Sequence, residues 1–216
     1  MKVAEVKKTD LKTAYPDLIE ISSSLDKLEK IRIDTLNWED FKYKPDVSLA
    51  ISYSDHEIFL KYYVKEVYFK AEKTETNQMV CEDSCVEFFV SPEDDGLYYN
   101  LEFNGIGTCL IGTGTGREDS KRADPEIISK IRRLSSEGNE PVKEKKGEIE
   151  WTLAVAIPFE VFFHHKIKDL KGKTYRANFY KCGDMLSVPH YVTWNPIGTK
   201  NPDYHQPKYF GTLKFV

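Results

Sequence analysis

Glu87 and Glu102 are the residues of this chain best placed to act on a ligand. Each lies in a run whose residues alternate between apolar and polar, the period of a β-strand. In CVEFFVS, Val86, Phe88 and Val90 share one face, and Cys85, Glu87 and Phe89 share the other. In YYNLEFN, Tyr99, Leu101 and Phe103 oppose Tyr98, Asn100, Glu102 and Asn104. On neighbouring strands the two glutamates would stand on one sheet face. A pair of carboxyl groups roughly 5 to 9.5 Å apart is the arrangement of a glycosidase acid and base. Acids and amides beside aromatic rings also provide the acceptors, donors and flat apolar surface that a polyhydroxylated ligand needs. A third run, YRANFYKC, has the same character: Tyr175, Ala177 and Phe179 on one side, Arg176, Asn178, Tyr180 and Cys182 on the other. If all three share a sheet, Glu87, Asn100, Glu102, Asn104, Arg176, Asn178 and Tyr180 form one polar patch, with Trp194 of YVTWNP at its edge. An internally bonded polar network is the competing reading, because buried polar groups find partners wherever they sit.

Other chemistries find less support. There is no G-x-S-x-G elbow for a nucleophile. Cys81 and Cys85 have C-x3-C spacing, but no second Cys or His pair follows at a matching distance, so the four cysteines read as free thiols and no metal site is expected. His56, His164, His165, His190 and His205 are scattered. Gly112, Gly114 and Gly116 resemble a phosphate cradle without its G-K-[ST] ending, and Glu118 and Asp119 would repel phosphate; a turn is expected there, with Arg117 and Arg122 as loop charges first and contacts to a sugar second. The 31 basic and 35 acidic residues give a formal charge of −4 and a pI near 5.8, which leaves no footprint for a nucleic-acid partner. No apolar run approaches the roughly 18 residues of a membrane span, and the N-terminus shows neither apolar stretch nor cleavage site, so no membrane partner and no leader are expected. Nothing calls for a cofactor.

The elements that must position these residues are mostly strands. Candidates are Val47 to Tyr53 and Glu57 to Val64, joined by Ser54, Asp55 and His56, then Cys85 to Ser91, Tyr98 to Phe103, Gly107 to Ile111, Ile127 to Leu134, Glu148 to Ile157, Tyr175 to Lys181, His190 to Trp194 and Gly211 to Phe215. Ser135 to Glu148 reads as a polar hairpin loop, and a short helix is expected after Pro158. With 40% hydrophobic residues in 216, the chain can bury one sizeable core, so residues 1–216 are expected to form one domain, with 1–24 loosely docked. Many short strands without alternating helices predict an all-β fold: a β-sandwich of two mainly antiparallel sheets with one or two short helices. Trp151, Leu153, Val155 and Ile157 would wall its core, while Ala154 and Ala156 imply close approach of a loop or a second layer.

The motifs VCEDSCVEFFVSP, YYNLEFNGIGT, RANFYKCGD, PHYVTWNP and PDYHQPKYFGTLKF, in that order, resemble the family 9-like carbohydrate-binding modules, in particular a small stand-alone branch from gut Bacteroidetes. The resemblance spans about Leu28 to Val216. It implies a β-sandwich that binds sugar without cleaving it, plant polysaccharide such as xylan or its oligosaccharides, and structural calcium in some members. Glu87 corresponds to the sugar-binding acid and Trp194 to one of two stacking tryptophans. Cys81 stands six residues before that acid, where relatives carry the other tryptophan, leaving Tyr98, Tyr180 or Tyr204 to supply a ring. A glycoside hydrolase using Glu87 and Glu102, and an interaction module with a degenerate sugar site, are the alternatives.

Overall fold

A computed structural model describes residues 1–11 and 13–216. In chain order the elements are β1 (Val3–Lys8), α1 (Leu18–Asp26), β2 (Ile31–Arg32), β3 (Thr35–Leu36), β4 (Asp46–Tyr53), β5 (Glu57–Ala71), β6 (Cys85–Ser91), β7 (Tyr98–Asn104), β8 (Cys109–Gly114), β9 (Lys121–Arg122), α2 (Pro125–Ser129), β10 (Arg132–Ser135), β11 (Val142–Pro158), β12 (Thr174–Cys182), β13 (Tyr191–Thr193) and β14 (Gly211–Phe215). The expected all-β class, with two small helices, is what forms.

One sheet runs β10, β11, β5, β4, with β2 on β4; the other runs β14, β12, β6, β7, β8, β9, with β13 on β12 and β3 on β13. Strand β1 joins them, pairing parallel with β14 through Val3–Val6 and with β4 through Lys7 and Lys8. The other pairings among the described residues are antiparallel. The inward residues of both sheets close one core: Leu49, Ile58, Leu60, Tyr62, Leu153 and Val155 from the first, Val86, Phe88, Leu101, Phe103 and Phe179 from the second. These are the apolar sets that the period of two selects. The expected wall of Trp151, Leu153, Val155 and Ile157 lies in this core, and the second layer over Ala156 is α1, whose Ile21 and Leu25 pack there with Ala50 and Phe59.

Three local expectations are corrected. Ile127 to Leu134 is not one strand: Asp124 accepts from the Glu126 N–H at 2.9 Å, Pro125 opens α2, and only Arg132–Ser135 is extended. After Pro158 there is a single 3-10 turn, Phe159–Val161, in place of a helix. Glu148 is not the start of its strand, because cross-strand pairing with β5 carries β11 back to Val142 through two register shifts. The N-terminal segment, expected to be loosely docked, contributes the strand that links the sheets and most of α1; residue 12 lies outside the described residues.

A buried ion pair crosses between the sheets. Lys181 of β12 sits 2.9 Å from a Glu66 carboxylate oxygen of β5, and both are fully buried. His190 lies against them, its Nε2 2.8 Å from the Lys181 ammonium and its Nδ1 3.1 Å from the Val188 carbonyl. Burial first, then the neighbouring Lys181 charge, holds His190 well below its ordinary pKa, so the ring is neutral. It then donates through Nδ1 and accepts from Lys181 at Nε2.

Candidate functional site

Strands β6, β7 and β12 are consecutive neighbours, and their outward residues form the face turned away from the main core. Glu87 is directly opposite both Glu102 and Tyr180. Loops cover much of this face and make a second apolar cluster of Trp38, Phe89, Tyr98, Tyr180, Tyr204 and Phe210. What they leave open is a cavity of about 430 Å³. Its floor is Glu87, Phe89, Glu102 and Cys182; its rim is Met79, Cys81, Arg117, Ser120, Arg122, Asp184, Tyr191 and the segment Pro202, Asp203, Tyr204 and His205.

Three acids of this cavity, Glu87, Glu102 and Asp184, are held toward their protonated forms, whereas Asp203 is held below its ordinary range, its burial outweighed by the bonds from Gln206 and Arg117. Burial, followed by the neighbouring Glu102 carboxyl, raises the Glu87 pKa well above 4.5, and its Oε1 accepts from the Cys182 thiol at 3.1 Å. Burial raises Glu102 to about 7, against the opposing pull of an Asn100 amide donating at 2.9 Å and of Arg122. Asp184 is raised by burial to about 6. Arg117 is tied to Asp203, donating from Nη2 at 2.9 Å. His205 is pushed down to about 4, first by burial and then by Arg117, and its Nδ1 is 2.7 Å from the Tyr98 hydroxyl.

A pH dependence of stability follows. Between pH 4.5 and about 7 folded Glu102 keeps a proton that the unfolded chain releases. Its contribution is therefore complete below pH 4.5 and is lost as pH rises through 7. The span corresponds to on the order of 3 kcal/mol, or roughly 6 to 12 °C in Tm for a chain this long. Asp184 acts in the same direction, whereas His205 contributes stability present above 6.5 and lost as pH falls through 4. The comparison with Glu102→Gln reads the share of the Glu87–Glu102 pair that depends on the Glu102 carboxyl, because the glutamine oxygen still accepts from Asn100 while the charge that also acts on Glu87 is gone. Wild type should lose stability relative to this variant between pH 5 and 8 in thermal melts; a constant difference across that range would refute the buried, protonated Glu102.

Of the expected site residues, Glu87 and Glu102 line the cavity, and Asn100 stands behind Glu102 with its Oδ1 buried and unbonded beside Ser120. The others are brought elsewhere. The Asn104 amide donates to the Lys73 carbonyl at 2.8 Å and to Asp83 at 3.0 Å, while its oxygen accepts from the Thr108 N–H, closing the β7–β8 turn. Arg176 donates to the Gly211 and Phe210 carbonyls. Asn178 is used by the Asn195 backbone, donating to its carbonyl at 3.0 Å and accepting from its N–H at 2.8 Å. Tyr180 stacks on Tyr204 at 4.0 Å, behind the ring that reaches the cavity. Trp194 is corrected from a stacking surface to a core residue: it is 3% exposed, packs on Phe179 and lies against Gly211.

The residues missed lie in loops, apart from Arg122 in the two-residue strand β9. Arg117, Arg122, Asp184, Asp203 and His205 carry no strand period, and Arg117 and Arg122 were expected first as loop charges, with sugar contact only as the lesser reading. Gly112 and Gly114, expected in a turn, lie within β8; a side chain at Gly112 would strike Asn100 and Ser120. Calcium takes six to eight oxygen ligands, whereas the one cluster of three acid or sulfur donors among the described residues, Cys85, Glu87 and Cys182, includes two thiols and does not suit it.

The sequence profile of Carbohydrate-binding family 9 matches residues 17–215, nearly the whole chain. The chain belongs to carbohydrate-binding family 9. A candidate carbohydrate-binding protein from Bacteroides uniformis, known from a crystal structure, is 43% identical, with 100% of this chain and 99% of that one covered and a TM-score of 0.96. Two structures of a family 9 module from Caldicellulosiruptor kristjanssonii share the fold. The glucose complex has 12% identity, covers 100% of this chain and 96% of that one, and gives a TM-score of 0.59. The cellotriose complex has 12% identity, covers 99% and 93%, and gives 0.60. A comparison with curated proteins finds no match. This family 9 chain thus keeps the acid of the resemblance in its cavity and turns the tryptophan into the core.

Proposed function

We propose that this family 9 chain binds a sugar unit of an oligosaccharide or a plant polysaccharide such as xylan in the β6–β7–β12 cavity and does not cleave it. The observation that carries the reading is the cavity itself, in which carboxyls held toward their protonated forms, two arginines and the rings of Tyr191, Tyr204 and Phe89 converge. Protonated and ionised carboxyls together offer donors and acceptors to hydroxyls, arginine offers donors only, and ring edges cover the apolar C–H side of a pyranose. The volume suits one or two sugar units rather than a long chain lying flat. The glucose and cellotriose complexes of the Caldicellulosiruptor module support testing glucose-based ligands first.

Catalysis is disfavoured because Glu87 is buried at the cavity floor with one carboxyl oxygen already accepting from Cys182, whereas a retaining or inverting pair needs both acids free to reach the glycosidic bond. Isothermal titration with cello- and xylo-oligosaccharides should give dissociation constants in the micromolar to millimolar range. Arg122→Ala, at an exposed position, should weaken binding about tenfold, the worth of a charged hydrogen bond, without lowering Tm. No heat from a broad oligosaccharide panel, or binding indifferent to Arg122, defeats the assignment of this cavity; reducing ends released during incubation defeat its non-catalytic nature.

A further inference from the structure

Cys85 and Cys182 are directly opposite one another on the antiparallel strands β6 and β12, and Glu87 is the next residue on the same face of β6. The Cys182 sulfur is 3.1 Å from Glu87 Oε1, the Cys85 sulfur is 3.9 Å from it, and all three donor atoms lie within 4.8 Å of one another. Tetrahedral zinc, with bonds of about 2.3 Å to sulfur and about 2.1 Å to oxygen, places its donors roughly 3.5 to 3.8 Å apart. The observed spacings straddle that range. All three groups are buried, and among the described residues no lysine or arginine forms an ion pair with Glu87; Lys181, one residue from Cys182, points to the opposite face and pairs with Glu66. A carboxyl group enclosed by two thiols is costly to bury and gains little from them, since a thiol is a weak donor.

We propose that Cys85, Cys182 and Glu87 form a binding site for a thiophilic divalent metal ion, zinc in the first instance, at the floor of the cavity. Cys182 and Glu87 line the cavity, which gives the ion its entry path. Cys81 stands there as well, its carbonyl 3.9 Å from the Cys182 sulfur, with Asp184 bonded to it through the backbone at 2.9 Å. Zinc binds thiolates and carboxylate, so it displaces three protons, two from sulfur and one from Glu87, which leave to solvent. Soft thiolate donors favour zinc over calcium or magnesium. The C-x3-C spacing of Cys81 and Cys85 hides the site, because the second sulfur ligand comes from a strand distant in the chain and the pairing of β6 with β12 alone brings it close.

Cobalt(II) is the probe, titrated into the full chain kept reduced by a non-thiol reductant. One equivalent should produce visible ligand-field bands of a tetrahedral sulfur-containing site and a near-ultraviolet thiolate charge-transfer band, and zinc should abolish both. Cys85→Ser and Cys182→Ser should each remove most of the charge-transfer intensity, while Cys109→Ala, in the main core on the other side of the sheet, should retain it. Should either serine variant fail to fold by circular dichroism, Glu87→Gln takes its place and should weaken cobalt binding about tenfold or more, the least expected for altering a ligand. Absence of the bands in wild type, bands surviving in a folded serine variant, or cobalt affinity unchanged by Glu87→Gln would overturn the site. The readout contains no sugar, so its failure is separate from that of the carbohydrate reading.

Discussion

Trp194→Ala is expected to destabilise the protein by about 3 to 5 kcal/mol while leaving oligosaccharide affinity of the folded fraction unchanged. The indole is 3% exposed and belongs to the main core, with Phe179 at 5.5 Å between ring centroids. Its fit is tight on the far side, where a Cβ on Gly211 would come within 2.5 Å of the ring, so only glycine lets β14 pass there. Its backbone N–H donates to the Phe179 carbonyl at 2.8 Å, fixing the ring beside β12, and the chain around it has little room to collapse into the space that alanine leaves. For a chain of this length the loss corresponds to roughly 6 to 20 °C in Tm. Thermal melts and titration, both done on the same sample well below its midpoint, decide the matter. A Tm within a few degrees of wild type, accompanied by lost binding, would show that the ring faces the ligand and that the burial described above is wrong.

Lys181→Met should cost a similar amount, about 3 to 5 kcal/mol, because it leaves the Glu66 carboxylate buried without its cation. The ammonium donates to His190 Nε2 at 2.8 Å and to the Cys182 carbonyl at 2.9 Å, and it faces Glu66 Oε2 at 2.9 Å as an ion pair, that oxygen taking no hydrogen bond. The other Glu66 oxygen accepts from the Trp151 indole at 2.6 Å. The pair therefore ties β5, β11 and β12 together across the core. Taking both charges out of water offsets most of their attraction, so the intact pair contributes little net stability even though breaking it is expensive. The double variant Lys181→Met/Glu66→Gln should accordingly be more stable than Lys181→Met alone, with a coupling energy of about 1 to 3 kcal/mol in the double-mutant cycle. Purely additive losses in urea denaturation would mean that the two groups do not act as a pair.

Both sites contrast with the glutamates in how much of them could be read from the chain. The period of two was enough to sort Glu87, Asn100 and Glu102 from Val86, Phe88, Leu101 and Phe103, because alternation is a local property of extended backbone and the apolar set must face a core. The hairpin of β4 and β5, the wall from Trp151 to Ile157, and the sandwich class followed from the same local rule together with the turn residues between runs. Shared residue motifs, in order, carried the family.

Alternation does not say which polar residues on a face remain free. Asn104, Arg176 and Asn178 lie on strands as expected, but loop carbonyls and N–H groups that arrive from distant parts of the chain consume their hydrogen-bonding capacity. Likewise, Asp124 and Pro125 set a helix inside an apolar run that reads as strand, since a cap and a fixed φ act over three residues and outweigh periodicity there. Composition left the N-terminal strand unplaced because its partners, β14 and β4, are remote in sequence. By itself, then, the sequence determined the longer strands that carry the core and the acids, their two faces and the family. Tertiary structure alone decided that Trp194 lies inward, that Arg117, Arg122, Asp184 and His205 surround the acids, and that the sulfurs of Cys85 and Cys182 meet at Glu87, for each depends on loop closure and strand order, which no local pattern encodes.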